Sequence, residues 1–533
     1  MSSPVSAAAE PAPEQSSSRT VAVNSAWLTL EATVGLFGGL AASVAVARVL
    51  GPEKVGYFSY LLWAVSAVTI AASLGVPGAT RKFAAEYFGA GRIRAGLDVV
   101  GRTWRVQAFT AAAAAAVALA VVLAVIGPEH RLFAALGALT VAPTILLEIP
   151  TAASAAAQQN RAIVIPAVIS ATLNLGGVGL CLALGWDLPG LAASLLLARI
   201  LDMALRRMFF ARIAAGLRAS VAGRPDPPAD AADSARIRRF CLHAAALQLL
   251  YLVVWDRSEV FFLERFCPIE QVAFYAIPFS MASQALIFAR TFSATASVNL
   301  MTKVASRTEA ARAQTALIVR YLFVFITPLL FGLAALSGPI VRTFYGAAFE
   351  AAAPVTAILA VSSLARAALT PLMFTLAAFE RQGRAIAVTL ACAVLNVALD
   401  FALIPSHGAL GAAVANGIAQ LAAAGGIYAY LTRSMGISLD PGRLLRVAAA
   451  AAGCVLPAAA LSFTAPAWVA LGAGVAAGVA LYPPLLKVFR ASAQGDSDRV
   501  NEVAPLLPRP LRAPAKRVLE WVTRPTAQSR AAV

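Results

Sequence analysis

The chain has 533 residues, of which 60% are hydrophobic and only 13% are charged. Soluble proteins carry about 25% charged residues, so the composition excludes a water-soluble globular protein and points to one built for lipid. The formal net charge of +17 does not indicate nucleic acid, because Lys and Arg collect in alternate inter-span loops rather than on one face.

Residues 1–22 are rich in Ala, Pro, Ser and Glu with a single Arg19, and lack a basic stretch before a short apolar core. They read as a disordered cytoplasmic tail rather than a signal peptide. A spanning helix needs about 20 mostly apolar residues, and fourteen stretches meet that requirement. Six lie near 26–48, 56–78, 106–127, 133–156, 162–185 and 189–209, forming an N-lobe over 23–210. A basic cytoplasmic linker follows at 211–239, with Arg-Pro-Asp-Pro-Pro at 224–228. Six more lie near 241–263, 272–297, 317–337, 353–378, 385–405 and 409–431, forming a C-lobe over 240–432. A last pair near 445–464 and 466–487 stands outside this scheme, within 433–488. The basic tail 489–533 contains Lys516–Val522, which reads either as a short interfacial helix or as disordered chain. The expected fold class is an all-α integral membrane protein: two pseudo-symmetric six-helix lobes plus a C-terminal helix pair.

An internal repeat supports six plus six. Arg48-Val-Leu-Gly-Pro-Glu-Lys-Val-Gly-Tyr-Phe-Ser59 recurs 217 residues on as Arg265-Phe-Cys-Pro-Ile-Glu-Gln-Val-Ala-Phe-Tyr-Ala276, matching Arg48 to Arg265 and Glu53 to Glu270. Arg161-Ala-Ile and Asn174 recur as Arg384-Ala-Ile and Asn396, at offsets of 223 and 222. Such a period implies duplication, and the bland alternative is chance likeness between apolar helix ends. Loops on one side hold 23 Lys and Arg residues; those on the other hold five, namely Arg48, Lys54, Arg131, Arg265 and Arg342. The positive-inside rule then puts both termini in the cytoplasm. An even number of spans per half relates the halves by an axis along the membrane normal.

Charges within spans are the functional pointers, since each costs roughly 2.5–3.5 kcal/mol at mid-helix unless paired or wetted. The densest group is Asp256, Arg257 and Glu259 in the seventh span, which either line a wet cavity or neutralise one another near the outer surface. Arg366 lies near mid-depth in the tenth span, before Pro371, and favours a cavity or a buried pair. Arg290 lies deep in the eighth span, towards its inner end, within reach of the interface. Glu31, in the inner third of the first span, either pairs with an arginine, carries a proton or lies near headgroups. Arg81 and Lys82 end the second span, where they receive an anionic headgroup or anchor the helix. Glu148, Arg199, Asp202, Arg320 and Asp400 read as structural pairs near span ends. Asn174 and Asn396 read as hydrogen-bonding glue between helices. Arg48 and Arg265, with their glutamates Glu53 and Glu270, read as caps on the first hairpin of each lobe.

Five cysteines (Cys181, Cys241, Cys267, Cys392, Cys454) have neither metal-ligand nor pairing spacing, and three dispersed histidines suggest no metal site. No Gly-rich phosphate loop, nucleophile triad or Asp-rich metal pair is present, so no enzyme and no cofactor are expected.

Three stretches carry a family resemblance. The first joins Asn24 and Trp27 through Ala47-Arg-Val-Leu-Gly-Pro-Glu-Lys-Val-Gly-Tyr57 to Leu74-Gly-Val-Pro-Gly-Ala-Thr-Arg81. The second is Phe344-Tyr-Gly-Ala-Ala-Phe349. The third is Leu395-Asn-Val-Ala-Leu-Asp-Phe-Ala-Leu-Ile-Pro405 with Gly408-Ala-Leu-Gly-Ala-Ala413. They resemble the Wzx-like polysaccharide flippases of the multidrug/oligosaccharidyl-lipid/polysaccharide exporter (MOP) superfamily. That resemblance implies two helical lobes around a cavity opening alternately to each side of the bacterial inner membrane. It implies a cargo of oligosaccharide on undecaprenyl pyrophosphate, moved to the outer leaflet for lipopolysaccharide O-antigen, capsule or exopolysaccharide. Membrane lipids, glycosyltransferases and a polymerase would be its partners. On this reading Arg257, Arg366, Arg290 and Arg81 are cavity or pyrophosphate contacts, and Asp256, Glu259 and Glu31 are coupling acids or sugar contacts. These roles come from charge and depth, as the family has no strict site signature. The last two spans would border the lipid tail. Alternatives are a lipid II flippase, a cation-coupled multidrug antiporter, and, as a different class, a membrane polysaccharide polymerase or ligase.

Overall fold

In a lipid core every backbone N–H and C=O must find its partner within the segment, which leaves helices as the economical answer to long apolar runs. The computed structural model describes residues 14–222, 231–255, 258–306, 308–379, 382–491 and 517, and is all-α, with no strand among the described residues. In chain order come α1 (Glu14–Ser73), α2 (Val76–Gly89), α3 (Ile93–Val125), α4 (Pro128–Leu146), α5 (Glu148–Ala156), α6 (Arg161–Ala183), α7 (Leu188–Ser220) and α8 (Ala231–Trp255). They are followed by α9 (Glu259–Phe266), α10 (Glu270–Ser306), α11 (Thr308–Ala335), α12 (Ser337–Phe344), a 3-10 turn (Ala347–Phe349), α13 (Ala352–Ala378), α14 (Gln382–Met435), α15 (Pro441–Thr464) and α16 (Ala467–Val488).

Among the described residues, ten helical stretches are long and apolar enough to cross a membrane. Two of them, Leu30–Ser73 with 44 residues and Ile386–Met435 with 50, have about twice the length one crossing needs. Each is divided where a glycine leaves helical geometry: Gly51 at φ 77 and ψ 177, and Gly408 at φ 54 and ψ −133. An L side chain is strained at either position. At the second break Gln271 Oε1 accepts the Ala409 N–H at 2.9 Å, so α10 supplies the partner that the interrupted helix lacks. With these two stretches counted double, and α8 with α9 and α10 added, the helices accommodate the fourteen spans read from the sequence.

The chain divides into two compact units. Unit 1 comprises Met1–Val49 and Leu61–Leu249; unit 2 comprises Leu50–Tyr60 and Leu250–Val533. In unit 1, Ala79, Phe83, Tyr87, Ala95 and Val99 form a buried core between α2 and α3. The opening of α8 is seated there through the Phe83–Phe240 edge contact, with centroids 5.7 Å apart. Unit 2 has a core of Leu372, Leu376, Ile427 and Leu431 on α13 and α14. A second core of Leu286, Leu322, Ile326 and Leu330 lies on α10 and α11. The last pair, α15 and α16, is part of unit 2, held to α11 by the Tyr482 hydroxyl donating to Val324 O at 2.6 Å.

Several boundaries differ from the sequence reading. Helix α1 is already formed at Glu14, so only 1–13 of the expected tail lie outside the described residues; the apolar span propagates helix back through Ser16–Val23 once nucleated. The expected linker is helical where described: α7 continues to Ser220 and α8 starts at Ala231. The unit boundary falls after it, at Leu249 and Leu250. The second span stops at Ser73, where Leu74 (φ 48) and Gly75 (φ 69) turn the chain into α2, so Arg81 stands on a separate short helix. Phe344–Phe349 closes α12 through Gly346, and its Phe349 ring meets Phe274 at 6.2 Å and Tyr345 at 6.0 Å. The tail segment Lys516–Val522 lies outside the described residues except for residue 517.

Candidate functional site

Among the described residues, each unit contains a buried polar constellation on its long helices. In unit 1, Asp202 and Arg206 are four apart on α7 and share a face. Arg206 donates from Nε to Asp202 Oδ1 at 2.7 Å and from a terminal nitrogen to Oδ2 at 3.3 Å, a fork on a carboxylate. Its other terminal nitrogen donates to Thr151 Oγ1 of α5 at 3.0 Å. Glu31 of α1 completes the group, its Oε1 3.9 Å from Arg206. Asp202 and Arg206 are only 3% and 6% exposed. A cavity of about 300 Å³ opens beside them, lined by Glu31, Asn174, Arg199, Asp202 and Arg206 and by the α1 glycines Gly35, Gly38 and Gly39. The missing side chains of those glycines leave the space free. Across the same wall Ser194 donates to Asn174 at 3.4 Å and Ser170 to Ala198 O at 2.9 Å, stitching α6 to α7.

In unit 2, Glu259 opens α9 and is 1% exposed. Its Oε1 accepts from Asn416 Nδ2 at 2.7 Å and from Asn396 Nδ2 at 3.3 Å, both on α14. Asn396 Nδ2 also lies 3.2 Å from Asp400 Oδ2, and Gln420 Nε2 donates to Asn416 Oδ1. Three oxygens in this knot have no hydrogen-bond partner, Asp400 Oδ1, Asn396 Oδ1 and Gln420 Oε1, while the Glu259 carboxylate also has the Tyr275 hydroxyl as a hydrogen-bond partner. All three are acceptors, and a buried acceptor without a donor costs roughly 1–3 kcal/mol, more for a charged group. A site with surplus buried oxygens is chemically fitted to take up a proton or a small hard cation. It is made of two carboxylates and amides, since no three of His, Cys, Asp and Glu come together among the described residues.

The structure sorts the residues singled out from sequence. Glu31 and Glu259 enter the two constellations. Arg366 is half-buried on α13, its guanidinium 5.6 Å from the Phe279 ring of α10. Arg290 is exposed on α10 and Arg81 is exposed on α2. Asp256 and Arg257 lie outside the described residues. Arg48, Glu53 and Arg265 are exposed at hairpin ends and Glu270 begins α10. Asn174 bonds across to α7, whereas Asn396 serves the carboxylate knot rather than acting only as packing glue. Arg206 was counted with the loop charges but is buried in an ion pair. Asp400 was read as a structural charge near a span end and instead faces Glu259's knot. Asn416 and Gln420 were missed altogether.

The family model described as "Lipid II flippase MurJ" matches residues 284–473. No curated protein sequence matches the chain. Among solved structures, lipid II flippase MurJ in an inward closed conformation superposes with a TM-score of 0.62 at 15% identity, covering 88% of this chain and 98% of that one. An inward-facing multidrug resistance MATE family transporter of the MOP superfamily gives 0.61 at 15% identity, covering 75% and 96%. A MOP superfamily transporter from Pyrococcus furiosus, described as having a binding pocket of reverse polarity, gives 0.55 at 14%, covering 78% and 95%. The family model that matches is that of MurJ, over part of the chain, and the chain has the multi-pass helical fold seen in the MurJ and MATE structures.

Proposed function

We propose that this protein is a flippase for a lipid-linked glycan, with lipid II as its substrate, working by alternating access across the bacterial plasma membrane. The observation that carries the reading is the match of the lipid II flippase family model to 284–473, most of unit 2, within a fold aligned over 98% of a MurJ chain. The charge distribution supports cytoplasmic termini. A glycan and its phosphates cannot cross hydrocarbon, so they require a wet path lined by charge. Arg290 and Arg81, exposed on their helices, together with Arg366 and Arg257, are the groups we assign to the phosphates. Glu31 and Asp256 remain candidates for sugar contact or coupling. The Glu259–Asp400 knot is our coupling site: uptake of a proton or monovalent cation satisfies its surplus oxygens, and release restores the strain, so occupancy biases one conformation over the other.

The motif stretches at 47–81 and 395–413 favour a second reading, a surface-polysaccharide repeat unit on the same lipid, served by glycosyltransferases and a polymerase. Purified protein in phosphatidylglycerol–phosphatidylcholine vesicles, given fluorescent lipid II or a fluorescent polyprenyl-pyrophosphate oligosaccharide on one leaflet, separates the two. We expect lipid II to become accessible on the far side and the oligosaccharide lipid to lag. The reverse order transfers the assignment to surface polysaccharide, and movement of neither under any imposed ion gradient removes it.

A further inference from the structure

Helices α3 and α7 each have 33 residues, about 50 Å at 1.5 Å per residue, against a hydrocarbon core of roughly 30 Å. Both overshoot the membrane at their basic ends, read above as cytoplasmic. At that level, and within unit 1, a groove of about 240 Å³ lies between α3, α5 and α7. Its floor is apolar: Val100, Ile149 and Pro150 are buried, with Phe210 half-buried beside them. Its rim is cationic. Arg207, Ala211, Ala214 and Arg218 follow one another at intervals of four, three and four on α7, so they share one face, and all four line the groove. The Arg207 guanidinium carbon lies 4.3 Å from the Trp104 ring centroid, which holds the cation flat. Among the described residues no carboxylate lies within 4 Å of Arg207 or Arg218. Tryptophan is also the residue that settles at the headgroup level of a bilayer.

Two guanidinium groups with no carboxylate partner among the described residues, above a greasy trough at headgroup depth, match a phosphodiester with an acyl chain below it. We propose that this groove binds one anionic glycerophospholipid of the inner leaflet, a site separate from the transported substrate. Basic pockets between helix ends on the cytoplasmic side are suited to such headgroups. The phosphate meets Arg207 and Arg218, and the first carbons of a chain lie on Val100, Ile149 and Phe210.

The test is titration of the delipidated full chain with phosphatidylglycerol or phosphatidylcholine of equal acyl length, read by native mass spectrometry. We expect one tight phosphatidylglycerol, and binding about tenfold weaker in Arg207→Ala/Arg218→Ala. Arg212→Ala, on another face of α7, is expected to bind as the parent does. Gly101→Leu is the second arm: Gly101 lines the groove and a Cβ there meets no atom within 4 Å, so the substitution adds apolar bulk at the groove with no loss of charge. It too should lose about tenfold, and it decides the matter if the double variant fails to fold. Equal retention of phosphatidylcholine overturns the site, as does an equal loss in Arg212→Ala or parent-like binding in Gly101→Leu. Displacement of the lipid by equimolar glycerol 3-phosphate also overturns it, by making the groove an anion site only.

Discussion

Arg206 sits where a residue-by-residue reading is most easily misled. In sequence it heads a run of arginines, with Arg207, Arg212 and Arg218 behind it, and so belongs with the charges of a loop. In the folded chain it is buried in a fork with Asp202, with Thr151 taking a further donor. Only the i, i+4 spacing to Asp202 gave notice of this. Removing one partner of a buried pair leaves an uncompensated charge and typically costs about 3–5 kcal/mol. Arg206→Ala is therefore expected to lower the thermal midpoint sharply, while Arg206→Ala/Asp202→Ala recovers part of the loss; scanning fluorimetry of the detergent-solubilised protein measures both. The unit 2 knot calls for a different outcome. Glu259→Gln keeps an acceptor for Asn416 Nδ2 and Asn396 Nδ2 but removes a charge from a residue 1% exposed. We expect it to fold as well as or better than the parent and to lose the dependence of transport on an imposed proton or sodium gradient. Retained gradient dependence would exclude Glu259 from coupling. Glu259 was visible in sequence as a costly intramembrane charge. Its partners were not, because Asn396 and Asn416 lie 137 and 157 residues away and an amide within a span reads equally well as a hydrogen bond between packed helices.

At the scale of elements, hydropathy gave the spans and little else. The long apolar runs could be placed because lipid enforces helix wherever it is met. Short pieces such as α2 and α12 were not separated because, at 14 and 8 residues, they fall below the length of a membrane span. The break at Leu74–Gly75 depends on packing against α8, which a local reading cannot supply. The repeated stretch 48–59 shows what such packing demands. Gly56 is approached so closely by the Ile269 carbonyl that a Cβ would overlap it, and both belong to unit 2. Since backbone cannot yield as a side-chain tip does, Gly56→Leu is expected to cost about 1–3 kcal/mol or more. A fall in the yield of monodisperse protein on size-exclusion chromatography, beside a normal yield for Gly38→Ala, whose Cβ meets open space, would check it.

For the whole molecule, 15% identity to the MurJ structure accompanies alignment over 98% of that chain, because the fold is specified by the spacing of apolar runs and their breaks, which tolerate almost complete exchange of residues. Positions matched by the sequence repeat differ in chemistry. Asn174 with Ser194 and Asn396 with Asn416 keep the same interval of twenty positions, yet only the second pair bonds to carboxylate. The correspondence of Asn174 with Asn396 is legible in the sequence; the carboxylate contact of Asn396 is not, since it rests on Glu259 joining from another helix. Gly51→Val tests the chain path between units. Its φ of 77 with open space around it means the cost is backbone strain alone, about 1–3 kcal/mol, expected as a drop of a few degrees in midpoint with an unchanged helical signal by circular dichroism.

The excursion of Leu50–Tyr60 into unit 2 has a mechanical corollary. The polypeptide passes from one body to the other at Val49, at Tyr60 and again within α8 at Leu249, so the two are tethered by three separate strands of backbone. The alternating access proposed above would then act through three covalent connections rather than one, and stiffening any one of them is expected to slow that cycle.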